Sequence, residues 1–449
     1  MCGIYAIYNK RKEKNTMELI NGMKRLQHRG RDGFGVVRYN HRVNNTNNKY
    51  EEYRTKGEVV DCCDEDKEKE AKMLLGHLRY TTSDESSIQG ILNGLQPLKD
   101  NIRRSPIYIC HNGNIPKVKG HDTLYILNYL KGLEYKDIEN KLVEFMNIIP
   151  GSYSIVILYR RSMYILRDRY GVRPLCLGED NNSWYVSSES SALKDGVYTR
   201  DVKAGEIIKI SHKGIKTIYQ YATPQKGLCA FELIYFMKNT SFVDGYYVKN
   251  IRIWLGRRLA EKDKGILGRI NWKDDYIVMG VPSSGIDAAK GYAEEMGYKY
   301  KQYIDKVDKS GRTFILMNND TRIKACKKKF CYNKEKLKDK KVIIVDDTIV
   351  RGTVMKSIVD NLKDCGVKEI HVRIPAPPVI DICELGIAIK KKEELLMNEK
   401  TIDEVKKELE VDSLIYLSLE DIREKFPENC YDQCFSGEIF EDINNWTPS

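Results

Sequence analysis

Cys2 directly follows the initiator Met1, and its small side chain makes removal of that methionine the expected processing step. The cysteine would then carry a free α-amine beside its own thiol. An α-amino group titrates near 7.7–8.0, so roughly a tenth or more is unprotonated at neutral pH, against less than ~0.1% of a lysine. Such an amine can take the thiol proton without help from a histidine, as in other terminal nucleophiles. A second signal lies far downstream. Residues 341–345 read as a buried strand, Asp346 and Asp347 as paired acids, and Thr348, Ile349, Val350, Arg351, Gly352 and Thr353 as a turn into a helix. Backbone N–H groups at a strand-to-helix turn bind phosphate. Two acids there would repel an anion unless they hold neutral hydroxyls and help place a divalent cation. A substrate that joins a phosphate, a diol and a metal-bound pyrophosphate reconciles the two demands. A third group is Cys229, Cys383, Cys430 and Cys434, around the second half of the chain.

The elements that must position these residues fall into two styles. Up to about residue 225 the chain is rich in short β-type runs such as GIYAIY, SPIYIC and SYSIVILY, with helical stretches near 17–27 and 122–147. Turn signals, HNGN (111–114) among them, separate many of the runs, and residues 39–70 read as surface excursions. This pattern predicts a layered αββα domain. Beyond Gly227, helical runs at 230–236, 251–264, 286–296 and 355–366 alternate with YIVMGV, KVIIVDD and EIHVRI. That alternation predicts a mainly parallel sheet flanked by helices. The expected domains are 2–228 and 229–449. Near the end, Ile402, Val405 and Leu409 fall on one face of a helix.

Composition narrows the class. The 449 residues suffice for two independent cores, and 41% apolar against 31% charged residues is an ordinary globular balance. A net charge of +11 is mild and suits anionic small substrates as well as nucleic acid. No run of 18 apolar residues and no export signal is visible, so the expected location is cytoplasmic, without membrane or nucleic-acid partners. The 12 scattered cysteines form no disulfide framework of a small secreted domain.

Cys2-Gly3-Ile4, LQHRGRDGFG (26–35), GHLRYTTS (76–83), HNGN, RDRYGVRPLCLG (167–178) and SSES (187–190) occur in order. The set closely resembles the class II, N-terminal nucleophile glutamine amidotransferases. The resemblance implies that Cys2 is the nucleophile and that Asn112 and Gly113 form an oxyanion hole. It further implies that Arg79 and Thr82 take the substrate carboxylate, that Asp122 takes its amine, and that Arg29 orders the nucleophile's surroundings. Leu124 departs from the acid usual there. His28, His77 and His111 read as structural side chains, because buried imidazoles need partners in any case.

The acidic turn resembles the phosphoribosylpyrophosphate (PRPP) motif of type I phosphoribosyltransferases. Both halves together, with GVPSSGIDAAKGYA (280–293) and GRTF (311–314), resemble the glutamine PRPP amidotransferase family. That implies ribose and Mg²⁺ binding by Asp346 and Asp347, with Ser284 near the metal and residues 348–353 around the 5′-phosphate. Arg312 and the basic segment 299–341 would close over pyrophosphate, although Ser283 and residues 306–314 depart from the usual pattern. It also implies ammonia transfer between the sites, activation of the glutaminase by PRPP, feedback by purine nucleotides and a homodimer or homotetramer. A [4Fe–4S] cluster on Cys229, Cys383, Cys430 and Cys434 is a further implication. The C-x3-C spacing of the last pair differs from the expected C-x2-C, and buried thiols or a structural zinc stay open. A PRPP-sensing regulator and a class II amidotransferase with another acceptor are the alternative functions.

Overall fold

Apolar alternation in the first 220 residues builds two antiparallel sheets in the computed structural model. It describes all residues except 41–48, 61–68, 81–93, 132–136, 223–226, 268–275, 308–328, 387, 388, 390, 427–429 and 449. Thr82 and Arg312 therefore lie outside the described residues. The strands are β1 (Gly3–Glu13), β2 (Gly33–Tyr39), β3 (Tyr50–Lys56), β4 (Ala71–Arg79), β5 (Leu98–Ile102), β6 (Ser105–Asn114) and β7 (Ser152–Tyr159). They continue with β8 (Ser162–Arg167), β9 (Cys176–Glu179), β10 (Ser183–Ser187), β11 (Tyr198–Asp201), β12 (Glu206–Ser211) and β13 (Gly214–Gln220). One sheet runs β11-β9-β10-β1-β4-β2-β3 and the other β13-β12-β8-β7-β6-β5.

The layers follow from which faces are apolar. Ile4, Ala6, Met73 and Leu75 of the first sheet meet Tyr108, Val156, Leu158 and Ile165 of the second in one core. Leu19, Ile20 and Met23 of the helix Thr16–Arg25 cover the outer face of the first sheet. Ile126, Leu130, Leu142 and Phe145, from the helices Asp122–Lys131 and Ile138–Ile148, cover the second. The result is the expected αββα stack. All eight residues of β7 are buried because that strand has the other sheet on one side and helices on the other.

The second sheet system is parallel throughout its five described strands, in the order Lys299–Tyr300, Tyr276–Gly280, Lys341–Val345, Glu369–Ile374, Ser413–Tyr416. Parallel neighbours need crossovers, and the helices Gly285–Met296 and Thr353–Asp364 supply two of them. The C-terminal tail returns to the first region. Phe440 stacks on Tyr170 with ring centroids 4.3 Å apart, and Lys117 Nζ donates to the carbonyls of Asn444 and Trp446 at 2.6 and 2.9 Å.

Three local readings change. HNGN is the end of β6 rather than a turn, because residues 111–114 pair in register with β7. The polar stretch 39–70 contains β3, an edge strand whose pairing with β2 is carried by the backbone and needs no apolar alternation. The run 230–236 is helical throughout, as expected, and its last five residues, Glu232–Phe236, form a π-helical turn. In the helix Ile402–Leu409, Val405 and Leu409 are buried, but Ile402 is 39% exposed because it sits at the helix start, just past the Thr401 cap. Among the described residues no helix is long and apolar enough to cross a membrane.

Candidate active sites

Cys2 precedes β1, whose pairing with β4 sets Gly3 opposite Leu78 at the end of β4, and its Sγ lies 3.9 Å from the Tyr80 carbonyl just past Arg79. The Cys2 N–H crosses to the other sheet and donates to Asn112 Oδ1 at 3.0 Å. Asn112 is buried, and its Nδ2 is a buried donor with no acceptor among the described residues. Arg79 Nε is a second such donor, while Nη1 donates to the Gly94 carbonyl and lies 3.2 Å from His121 Nε2. Unmet buried donors are costly, about 1–3 kcal/mol each. Two of them beside one thiol suit an incoming anion or oxyanion. Gly113 must be glycine, since a Cβ there would stand 1.9 Å from the Ser152 carbonyl oxygen of β7.

Asp122 opens the helix Asp122–Lys131. Burial alone would raise its carboxyl, but His111, His121 and the Thr123 backbone N–H hold it below the ordinary range. His111 Nδ1 lies 3.6 Å from Asp122 Oδ1. Burial lowers the His111 imidazole, yet Asp122 brings it out above its ordinary value. His77 falls to about 3 through burial and the charge of Arg79. A histidine so weakly basic stays neutral, which agrees with the structural role expected of it.

The second site forms where the central strand Lys341–Val345 ends. Asp346 and Asp347 line a cleft of about 460 Å³ together with residues 348–355, Ser283, Ser284, Lys238, Arg252, Lys306 and Lys329. Ser284 Oγ donates to Asp347 Oδ2, and Thr348 Oγ1 donates to Asp347 Oδ1 at 2.8 Å. Burial and the charge of Asp347 push the Asp346 carboxyl up. Burial raises Asp347 as well, against the Ser284 and Thr348 hydroxyls and Arg252. Two carboxyls raised chiefly by burial, with a hydroxyl beside them, are a hard oxygen donor set that suits Mg²⁺. Gly352 caps the helix Thr353–Asp364 at φ +75°, where a Cβ would also crowd Leu396 at 2.9 Å. Arg351 is engaged by Glu394, with Nε donating at 2.7 Å.

Cys229, Cys383 and Cys434 are buried; Cys383 adds to the rise of the Cys229 thiol, and both add to that of Cys434. Burial, opposed by Arg173 and helped by Cys383, carries Cys229 to about 12. Cys430 lies near Cys229, but its Sγ is turned to the Leu228 carbonyl at 2.6 Å. Cys229 and Tyr431 form a parallel bridge that joins the two segments. Among the described residues no group of three or more His, Cys, Asp or Glu is arranged to hold a metal ion.

Sequence reasoning missed the charges that surround Arg29. Glu189, Glu232 and Arg173 are fully buried with it, and Glu232 comes from more than 200 residues away. Glu189 lay inside the SSES motif, which was a signal without an assigned partner. Arg252 and Lys238, also unassigned, line the acidic cleft.

The phosphoribosyl transferase domain family matches residues 251–409 and the glutamine amidotransferase domain family matches residues 84–195. The amidophosphoribosyltransferase of Methanocaldococcus jannaschii is 32% identical, over 94% of this chain and 93% of its own. The chloroplastic amidophosphoribosyltransferase of Vigna aconitifolia is 30% identical, over 100% of this chain and 93% of its own. Among solved structures, the glutamine PRPP amidotransferase from B. subtilis, complexed with ADP and GMP, superposes with a TM-score of 0.82 at 28% identity, covering 98% of both chains. A structure described as the allosteric regulatory enzyme of purine biosynthesis gives 0.84 at 28% identity, covering 98% of this chain and 97% of its own.

Proposed function

The chain belongs to the amidophosphoribosyltransferase family, and from that membership we infer how its two sites divide the reaction. It is a glutamine-dependent amidotransferase that produces phosphoribosylamine from PRPP and glutamine, the first step of purine biosynthesis. The observation that carries the division of labour is the pair of unmet buried donors, Asn112 Nδ2 and Arg79 Nε, beside Cys2 and apart from the acidic cleft.

In the first half-reaction the Cys2 thiol loses its proton to the α-amine left by Met1 removal and attacks the glutamine amide carbon. Asn112 Nδ2 and the Gly113 N–H receive the oxyanion, each such donor being worth about 2.7–4 kcal/mol. Arg79, with Thr82, takes the substrate carboxylate, a task that suits a guanidinium fork. Asp122, held ionised by His111 and His121, takes the substrate ammonium. Ammonia leaves, and water cleaves the thioester to glutamate. Ammonia then passes through the interior and displaces pyrophosphate from C1 of PRPP. Asp346 and Asp347 hold the ribose hydroxyls, residues 348–353 cradle the 5′-phosphate, and Arg312 closes over pyrophosphate. Asp346, Asp347 and Ser284 would hold Mg²⁺, which neutralises the departing pyrophosphate when bound.

The four cysteines supply the thiol donors that a [4Fe–4S] cluster requires, and we assign one to Cys229, Cys383, Cys434 and Cys430 in a structural role. Cys430 is the ligand that must turn, away from the Leu228 carbonyl. Iron and sulfide analysis of anaerobically purified protein checks this, and fewer than about four irons per chain rejects it. Purine nucleotides are the proposed feedback inhibitors, a reading supported by the ADP and GMP complex of the B. subtilis relative. Assembly as a homodimer or homotetramer is checked by light scattering.

The decisive experiment measures PRPP-dependent release of glutamate and pyrophosphate by wild type and Cys2→Ala. Cys2→Ala should lose glutamine-dependent turnover and keep ammonia-dependent turnover. Loss of both in folded protein would refute separate sites.

A further inference from the structure

A set of buried charges joins the two halves: Arg29, Arg173 and Glu189 lie in motifs of the first, and Glu232 comes from beyond residue 229. The Arg29 guanidinium is used on every side. Its Nε donates to the Cys2 carbonyl at 3.0 Å, Nη1 to Glu189 Oε1 at 2.5 Å, and Nη2 to Glu232 Oε1 at 2.8 Å. Arg173 Nη1 faces the same Glu232 oxygen at 3.5 Å. Two guanidinium groups and two carboxylates, all with 0% side-chain exposure, therefore balance one another between the two halves of the chain.

Both carboxylates lead to the acidic cleft. Glu189 Oε1 also bonds His28 Nε2 at 2.7 Å, and His28 is the one described lining residue of that cleft that precedes residue 229. Glu232 begins the short turn Glu232–Phe236, which Arg252 clamps from the other side. Arg252 Nε and Nη2 donate to the carbonyls of Leu233 and Met237 at 2.9 and 2.8 Å. Arg252 is buried, lines the cleft and feels the charge of Asp347.

We propose that Glu189 and Glu232 are positioning residues for the nucleophile: they set Arg29, and through it the Cys2 carbonyl, according to the charge held in the PRPP cleft. The inference rests on the function proposed above. A ligand shifts an equilibrium only through contacts that differ between two states. Mg²⁺-bound pyrophosphate changes the field at His28 and Arg252, the two cleft residues that hold the carboxylates' supports. Arg29, Glu189 and Glu232 have no side-chain exposure, so solvent screens the change little where it reaches them. The Cys2 carbonyl carbon is bonded to Cα, which carries the amine directly and the thiol through Cβ, so its displacement moves the reacting groups.

The test measures glutamate release with and without PRPP, and ammonia-dependent phosphoribosylamine synthesis, in wild type, Glu232→Gln and Glu232→Asp. Glu232→Gln keeps the shape and removes the charge. Its stimulation by PRPP should fall about fivefold or more, within the usual range of coupling between sites. The loss should appear in kcat rather than in KM for glutamine, while ammonia-dependent synthesis stays within about twofold of wild type. Glu232→Asp, which returns the charge, should recover part of the stimulation. Glu232→Gln stimulated as strongly as wild type overturns the relay and leaves the proposed function standing. Where Glu232→Gln loses ammonia-dependent synthesis too, Glu189→Gln gives the same decision from the other carboxylate. Wild type that releases no glutamate or pyrophosphate overturns the proposed function and the relay with it.

Discussion

The thiol site and the acidic cleft are built in opposite ways. The first gathers Cys2, Arg29, Arg79, Asn112 and Asp122 from the ends of strands in two antiparallel sheets, from the short turn Gln27–Arg29 and from the start of a helix. The second takes the largest single share of its wall from one continuous stretch, 346–355, hung from the end of a central parallel strand. Strand ends in different sheets stay in place only while both sheets keep their register. A strand-to-helix turn carries its geometry locally. The scattered site can therefore be disabled piece by piece, whereas the cleft loses its function as a unit. Chemistry sets the order of dependence, since ammonia made at the first site has no acceptor unless the second works.

The largest test of that asymmetry is Asp347→Asn. It removes a carboxylate that two hydroxyls orient, and both glutamine- and ammonia-dependent synthesis should fall on the order of 10³-fold. Steady-state assays with each nitrogen source check this, and survival of either would break the comparison. Asn112→Ala should have a smaller and one-sided effect. Glutamine-dependent synthesis falls about 10²–10³-fold while ammonia-dependent synthesis holds. Equal loss of both would mean that the sites are not separate.

The smallest effect lies at the seam between the halves. Arg167 Nη2 pairs with Asp244 at 2.7 Å, and the Asp244 N–H donates to Asp201 Oδ2 at 2.7 Å. Burial pushes the Asp201 carboxyl up to about 6, with Asp244 adding to it and Arg167 opposing. The folded value lies above the free value of 3.8, so folding favours the protonated form. That contribution is complete below about pH 4 and is lost as pH rises through about 6. Asp201→Asn, which cannot ionise, should gain about 1–2 kcal/mol over wild type above pH 6.5 and nothing below pH 4. Urea unfolding across that range measures it.

Legibility followed the same divide. The acidic turn could be read because strand, acids, turn and helix are contiguous, so periodicity and chemistry coincide in a dozen residues. The thiol site could be read residue by residue through resemblance, but not as geometry. HNGN carries turn-type residues and is nevertheless strand, because β7 pairs with it and the Ser152 carbonyl presses on Gly113. β3 was invisible to periodicity because an edge strand with one partner needs little apolar surface. The Arg29 network was least legible of all. Burial of a charge depends on a counter-charge at any sequence distance, and no local pattern at Glu232 announces Arg29.

The tail that clasps the first region has a consequence for how the protein is made. Tyr170 and Lys117 leave the ribosome hundreds of residues before Phe440, Asn444 and Trp446 arrive to meet them. The amino-terminal half can lay down its sheets early, yet its surface around residues 117 and 170 stays open until residues 440–446 emerge. Their arrival thus acts as a latch, and a nascent chain halted short of residue 440 would display an unfinished face on its first half.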